Sequence, residues 1–400
     1  MTRITTREHL LNILAEASEL EHNLLCLYLY SVFSLKSSTE EDVSTTELDK
    51  IKSWKKVIRE IAIQEMGHLA LVSNITTAIG GLAHYHRPNF PVSAGYYPSE
   101  FVLHLAPFNM DTLEHFLFLE RPADKKIQDN PEFREAEEDY KREAPKNRLM
   151  TYAGNYKTVG ELYSAIRDGM TYLCEELGED KLFCGSKNLQ LSAEDIKLDG
   201  LSSINNLQEA VKAIDFIVEQ GEGGEGDDCH FEKFATIKRE YQEILRTNPD
   251  FSPARAVVKN PVMRKTSEND LSIWVSHDEA SIYLDISNAL YNLMLKLLIQ
   301  VYAMEQRSKV FKKNLIDCAF IVMKIMGDVS TLLTHFPCKA DESEKAGMSF
   351  TVERYLSPYE LSSEKVMLKE RVQEILDHMK DVQGLQRLLP QMNLLLEKLT

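Results

Sequence analysis

The six cysteines, Cys26, Cys174, Cys184, Cys229, Cys318 and Cys338, are scattered over 400 residues and none forms a Cys-x-x-Cys pair. That spacing indicates neither a disulfide framework nor a zinc ribbon. Positive charge is also scarce: 46 Lys and Arg face 62 Asp and Glu, a formal net charge of -16. A general binder of nucleic acid or of anionic membrane needs the opposite balance. Long apolar runs are missing too, since even residues 290–304 are interrupted by Asn292, Lys296 and Gln300, short of a membrane span. The first ten residues are too polar for a secretory leader. The expectation is a cytoplasmic protein with a small-molecule substrate, without nucleic-acid or membrane partners, and with homo-oligomerisation left open.

What the chain does have is helical periodicity. With 44% hydrophobic and 27% charged residues it has an ordinary globular composition. In residues 10–35, Leu10, Leu14, Ala17, Glu21, Leu24 and Leu25 fall near one stripe, and Thr5 or Thr6 can cap the helix. Residues 51–79 read as a second long helix, closed by Gly80-Gly81, that can pack antiparallel to the first. The stretch 84–98, with three prolines, several aromatics and His84, His86 and Arg87, is irregular and suited to lining an entrance. Helical patterns return over 107–119, 158–177 and 205–219, and again from His230. A second block spans 278–336, followed by a Lys/Glu-rich run and a Leu-rich one. The fold class expected is all-α: a metal-binding bundle in residues 1–245, with additional helices in 246–400 packed on it.

The residues with chemical promise are acids at core-facing positions. In Glu65-Met66-Gly67-His68 the Glu and His stand three apart, so one helix face presents both, as a binuclear metal site in a four-helix bundle requires. Glu21 lies in the apolar stripe of the first helix, where an isolated carboxylate would cost several kcal/mol unless paired or bound to a cation. Glu161 has two readings: the fourth residue of a capping pattern begun by Thr158, or the third helix's carboxylate ligand. For the fourth helix, Glu219-Gln220-Gly221-Glu222 carries an acid where His is expected, and a break at the glycines can bring Glu222 and His230 together, with Glu219 as an alternate. Such a mixed oxygen and nitrogen set suits iron, as one or two ions, or manganese.

Taken in order, Glu21-His22, Glu65-x-x-His68, Arg87-Pro88-x-Phe90-Pro91, Gly95-x-Tyr97-Pro98, Thr158-Val159-Gly160-Glu161-Leu162-Tyr163, Glu219-Gln220-Gly221-Glu222-Gly223, His230-Phe231-x-x-Phe234 and Ala346-Gly347-Met348-Ser349-Phe350 resemble the ferritin-like domain family that includes the imine dimer synthases of bisindole pigment biosynthesis. Met348 stands where related sequences commonly carry Pro. The resemblance implies a ferritin-like four-helix bundle with extra C-terminal helices, and metal ligands at Glu21, Glu65, His68, Glu161, Glu222 and His230. It implies a non-haem iron oxidoreductase that uses dioxygen on a small amino-acid-derived or aromatic metabolite, held against residues 85–97. The alternatives are imine coupling or tailoring without dioxygen activation, and a storage or structural protein.

Overall fold

The computed structural model describes residues 3–98, 101–134, 149–152, 154–221, 228–265, 271–303, 305, 307–340 and 342–400. Helix α1 (Arg7–Ser34) begins where the Thr6 side chain accepts the His9 N–H at 3.1 Å, satisfying one of the backbone donors a helix start leaves orphaned. Helix α2 (Thr45–Ala78) starts at Thr45, earlier than its apolar pattern announces. Its polar first turns are secured by a reciprocal capping box: Glu47 N–H donates to Ser44 Oγ at 3.3 Å, and Ser44 N–H donates to Glu47 Oε2 at 2.8 Å. Arg7 at the head of α1 donates to the carbonyl of Ile79 just past the end of α2, at 2.6 Å. The two helices are thus an antiparallel pair.

Helix α3 (Met110–Leu119) follows the irregular segment, and α4 (Val159–Leu177) is capped by Thr158. A single turn, α5 (Glu179–Leu182), leads toward α6 (Leu207–Gly221), after which α7 begins at His230 (His230–Thr247). Helices α1, α2, α4 and α6 pack as the four-helix bundle, while α3 and α7 lie against each other beside it. The apolar stripe of α4 (Leu162, Ile166, Met170 and Leu173) and that of α6 (Ala210, Ala213, Ile214 and Ile217) are both buried, which is what holds the two shorter helices to the long pair.

The C-terminal block is α8 (Asp278–Ala303) paired with α9 (Lys309–Leu333), covered by α10 (Glu364–Lys380) and α11 (Leu389–Lys398). The strands among the described residues, Pro261–Val262 and Ile273–Trp274, pair in parallel and are two residues each. Helix α8 is long and apolar enough to cross a membrane by composition, yet 72% of its most apolar stretch is buried inside the protein, as in a core helix. The region after α7 is tied to α1 through buried polar groups. Tyr30 O–H donates to Val258 O at 2.5 Å, and Arg255 Nη1 donates to Leu35 O at 2.9 Å. The chain passes Tyr30 so closely at Gly347 that any Cβ there would overlap the phenol.

Candidate metal centre

Glu21, Glu65 and His68 are buried in the middle of the α1–α2 pair. His68 Nδ1 stands 3.2 Å from Glu65 Oε2 and 3.4 Å from Glu21 Oε2. On the other side of Glu65, the first residue of α7 arrives: His230 Nδ1 is 2.9 Å from Glu65 Oε1 and 3.5 Å from Glu120 Oε1. Two triads result, Glu21–Glu65–His68 and Glu65–Glu120–His230. In each, one ligand atom per residue lies within 4.8 Å of the others, and all five residues are buried. Each triad could hold a metal ion, and Glu65 is common to both.

The imidazoles are set for this task by their far nitrogens. His68 Nε2 faces Gln220 Oε1 at 3.0 Å, and His230 Nε2 faces Gln64 Oε1 at 3.2 Å. An amide oxygen accepts, so it favours N–H at Nε2 and leaves Nδ1 turned toward the carboxylates. His230 Nδ1 is buried and, for all its closeness to Glu65, makes no well-aligned hydrogen bond. Three carboxylates and two imidazoles without sulfur form an oxygen-rich set that fits iron or manganese, and the orphaned Nδ1 is the atom such an ion would satisfy. Two tyrosines steady the carboxylates from outside. Tyr163 O–H donates to Glu21 Oε1 and Tyr28 O–H to Glu120 Oε1. Burial, reinforced by those same carboxylates, holds both phenols well above their usual range, so they act as neutral donors.

The cluster's protonation without metal follows from its crowding. Burial first, and then the charge of Glu65, push Glu21 up to about 8. Glu65 is driven up by burial, but His68 and His230 outweigh that and hold it well below the carboxylate range. Burial works against charge on His230, yet Glu120 and Glu65 raise it to about 9; His68 is raised by Glu65 and Glu21 in the same way. Protons therefore do in the metal-free protein what a cation would do when bound: they offset buried negative charge.

Of the residues expected at the site, the structure brings together Glu21, Glu65, His68 and His230. Glu161 does not join them, which corrects its reading as a ligand. It is exposed in the first turn of α4, where its Oε2 accepts the Lys157 N–H at 2.7 Å. Tyr163, two residues on and so on the opposite face of the helix, is the one turned inward. Glu222 lies outside the described residues. Glu219 is exposed on α6, and its neighbour Gln220 is the one that reaches the site. Glu120 was missed by sequence reasoning. It caps the C-terminus of α3, and the packing of α3 on α7 delivers it beside His230. Its signal was an acid ending the apolar run Phe116-Leu117-Phe118-Leu119.

The segment expected to hold substrate also lies elsewhere. Tyr85, Phe90 and Tyr97 are buried on the face of α1 turned away from Glu21. There Tyr97 accepts from Asn23 Nδ2 at 2.9 Å, and Arg87 donates to Tyr291 Oη at 3.0 and 3.1 Å. Tyr291 in turn meets His22 Nε2 at 2.6 Å. On α1, Glu21, Leu24 and Tyr28 recur at helical spacing on one side, and His22, Asn23 and Cys26 on the other.

A four-helix bundle with buried Glu and His triads on separate helices defines a metal-binding protein of the ferritin kind. The ferritin-like family pattern matches residues 14–239, more than half of the chain, and the chain belongs to that family. Among curated proteins it is similar to the dichlorochromopyrrolate synthase of Lentzea aerocolonigenes, 24% identical over 88% of this chain and 36% of that one. It is also similar to the 2-imino-3-(indol-3-yl)propanoate dimerase of Chromobacterium violaceum, 22% identical over 84% of this chain and 33% of that one. The alignments thus span about a third of the length of these relatives. A solved ferritin-like protein from Caulobacter vibrioides shares the fold, with a TM-score of 0.52, 20% identity, and coverage of 82% of this chain and 96% of that one.

Proposed function

We propose that the chain is a non-haem iron enzyme that uses dioxygen to oxidise a small amino-acid-derived or aromatic metabolite. The observation that carries this reading is the shared Glu65: five buried ligand groups arranged as two triads around one carboxylate. Bound iron would supply the redox chemistry. The chain's own groups hold the site's shape: Glu21, Glu65, Glu120, His68 and His230 as ligands, Gln64 and Gln220 fixing the imidazole tautomer, and Tyr28 and Tyr163 orienting two carboxylates. Leu24, Ile217 and Val218 line the chamber with apolar surface, which limits the water beside the reacting centre. The name of one curated relative, a dimerase of an indolyl imino acid, favours an imine derived from an aromatic amino acid as the substrate class.

That same name supports a second reading, metal-dependent imine coupling without dioxygen activation. One experiment separates them. Protein reconstituted anaerobically with ferrous iron is given 2-imino acids generated in situ from aromatic amino acids, with and without dioxygen. Oxygen uptake that requires both iron and substrate supports the oxidase, and anaerobic turnover supports the coupling enzyme. Folded protein that takes up neither iron nor manganese in stoichiometric amount removes the basis of both. On either reading the small molecule is the partner, and the acidic surface fits a cytoplasmic enzyme without nucleic-acid or membrane partners.

A further inference from the structure

The chamber that Glu21, Glu65, His68 and Glu120 help to line measures about 20 Å³. That admits one water-sized species and no organic molecule. Beside it lies a groove of about 710 Å³, within the range of small-molecule sites. Gly160 and Val218 line both spaces, so a wall of two residues, one without a side chain, divides them. An organic molecule can approach the metal centre from this groove without entering the chamber.

The groove's chemistry is uneven along its length. Its buried floor is Ile4, and Ala165, Gly169 and Val218 add small apolar surface. Helix α4 turns Glu161, Ser164 and Asp168 toward it, at the spacing that places them on one face. Arg3 stands in its lining with the guanidinium 4.2 Å over the Tyr172 ring, a contact that limits its rotamers and leaves its N–H edge able to donate. Two carboxylates and one guanidinium around an apolar floor match a molecule that carries a protonated nitrogen, a carboxylate and a flat apolar body.

We propose that this groove is the organic-substrate site and takes a zwitterionic aromatic amino-acid derivative: nitrogen toward Asp168 and Glu161, carboxylate toward Arg3, and reacting end at the Gly160–Val218 wall. The proposal rests on the reading of the centre as an enzyme's. It is tested without turnover, by titrating the whole 400-residue chain in a calorimeter with L-tryptophan, with tryptamine, which lacks the carboxylate, and with 3-(indol-3-yl)propanoate, which lacks the amine. L-tryptophan is expected to bind. Asp168→Asn should weaken L-tryptophan and tryptamine about tenfold, the scale of one lost charge-assisted hydrogen bond, and leave the propanoate unchanged. Arg3→Met should weaken L-tryptophan and the propanoate and leave tryptamine unchanged. Ala165→Trp, at a residue that lines the groove and not the chamber, should abolish binding of all three while iron content and helical circular dichroism stay at wild-type values. Absence of L-tryptophan binding to iron-loaded protein, or binding indifferent to Ala165→Trp, overturns the groove assignment and leaves the metal centre standing. Binding with this pattern by protein that takes up no metal would sink the enzyme reading and leave the groove.

Discussion

Removing the metal should make the protein's stability fall as pH rises, and restoring it should abolish that fall. His230 is lifted to about 9 in the folded protein by Glu120 and Glu65, against the penalty of burial; in the unfolded chain it titrates near 6.5. The folded state therefore holds a proton that the unfolded state has released over that window. Stability from this group is fully present below about 6.5 and is lost as pH rises through about 9. At roughly 1.4 kcal/mol per pH unit of separation, the loss is about 3 kcal/mol, a large share of an ordinary folding free energy. Glu21, lifted to about 8 by burial and then by Glu65, acts in the same direction, because its folded carboxyl keeps a proton that the unfolded chain gives up from about 4.5 upward. Glu65 is depressed, so its contribution is present above the unfolded value and is lost only on acidification, outside the window.

The assay is urea unfolding of chelator-treated protein from pH 6 to 9.5, followed by circular dichroism, with and without ferrous iron or manganese under argon. The metal-free midpoint should drop steadily across the window. With metal it should stay level or rise, since the cation replaces the protons and its ligands bind it deprotonated. His230→Gln should remove the share of the slope that comes from that group. A metal-free protein whose midpoint is flat from 6.5 to 9, or one whose slope is the same with metal as without, would show that these groups are not protonated against one another as argued.

Glu120→Ala should lower iron content per chain to below half of wild type while Glu161→Gln leaves it unchanged, measured by elemental analysis of reconstituted protein; equal loss in both would return Glu161 to the site. Gln220→Leu should weaken metal affinity by roughly tenfold or more through loss of the partner that orients His68, read by competition with a chromophoric chelator. Gly347→Ala should destabilise the fold by about 1–3 kcal/mol, the usual cost of overpacking, because its Cβ overlaps the buried Tyr30 phenol; a wild-type urea midpoint would mean that Tyr30 yields freely. Arg87→Met should cost about 3 kcal/mol in the same assay, since it leaves Tyr291 and the Phe350 carbonyl without their donor, and should leave metal content intact.

How much of this was legible in sequence depended on whether a residue's role is set by its own helix or by a neighbour's. The all-α class and the ferritin-like bundle with added C-terminal helices follow from periodicity and from an ordered set of motifs, and the structure has them. Glu21 and Glu65 with His68 sit on long helices whose apolar stripes point them inward, so spacing alone placed them. Glu161 failed because the same Thr-x-x-Glu spacing serves a cap, and a cap turns the side chain back to the backbone N–H groups at the helix start. Glu120 failed for the converse reason. It follows a short helix whose own pattern says nothing about which neighbour it meets, and only the packing of α3 against α7 brings it to His230.

The same distinction explains why residues 85–97 read as a substrate surface in sequence yet pack on the side of α1 away from Glu21. Aromatic rings and bases cluster in residues 84–97, and aromatic density reads as a binding surface. Here it solves a different problem. Arg87 is fully buried and has Tyr291 and the carbonyls of Pro88 and Phe350 as partners, and Asn89 accepts the Val352 N–H at 2.7 Å, so these two side chains join the segment to the C-terminal block. Helix α1 carries two kinds of buried polar group, one facing the bundle interior and one facing this joint. On α1 they alternate within a single turn: Glu21 toward the metal centre, His22 toward Tyr291. A change at His22 should therefore act on the attachment of α8, and one at Glu21 on metal loading, although the two residues are adjacent. His22→Phe with full iron content and a lowered urea midpoint, set against Glu21→Gln with lowered iron content, would show the two faces to be separate. Loss of iron in His22→Phe would show that the joint and the metal centre are one unit.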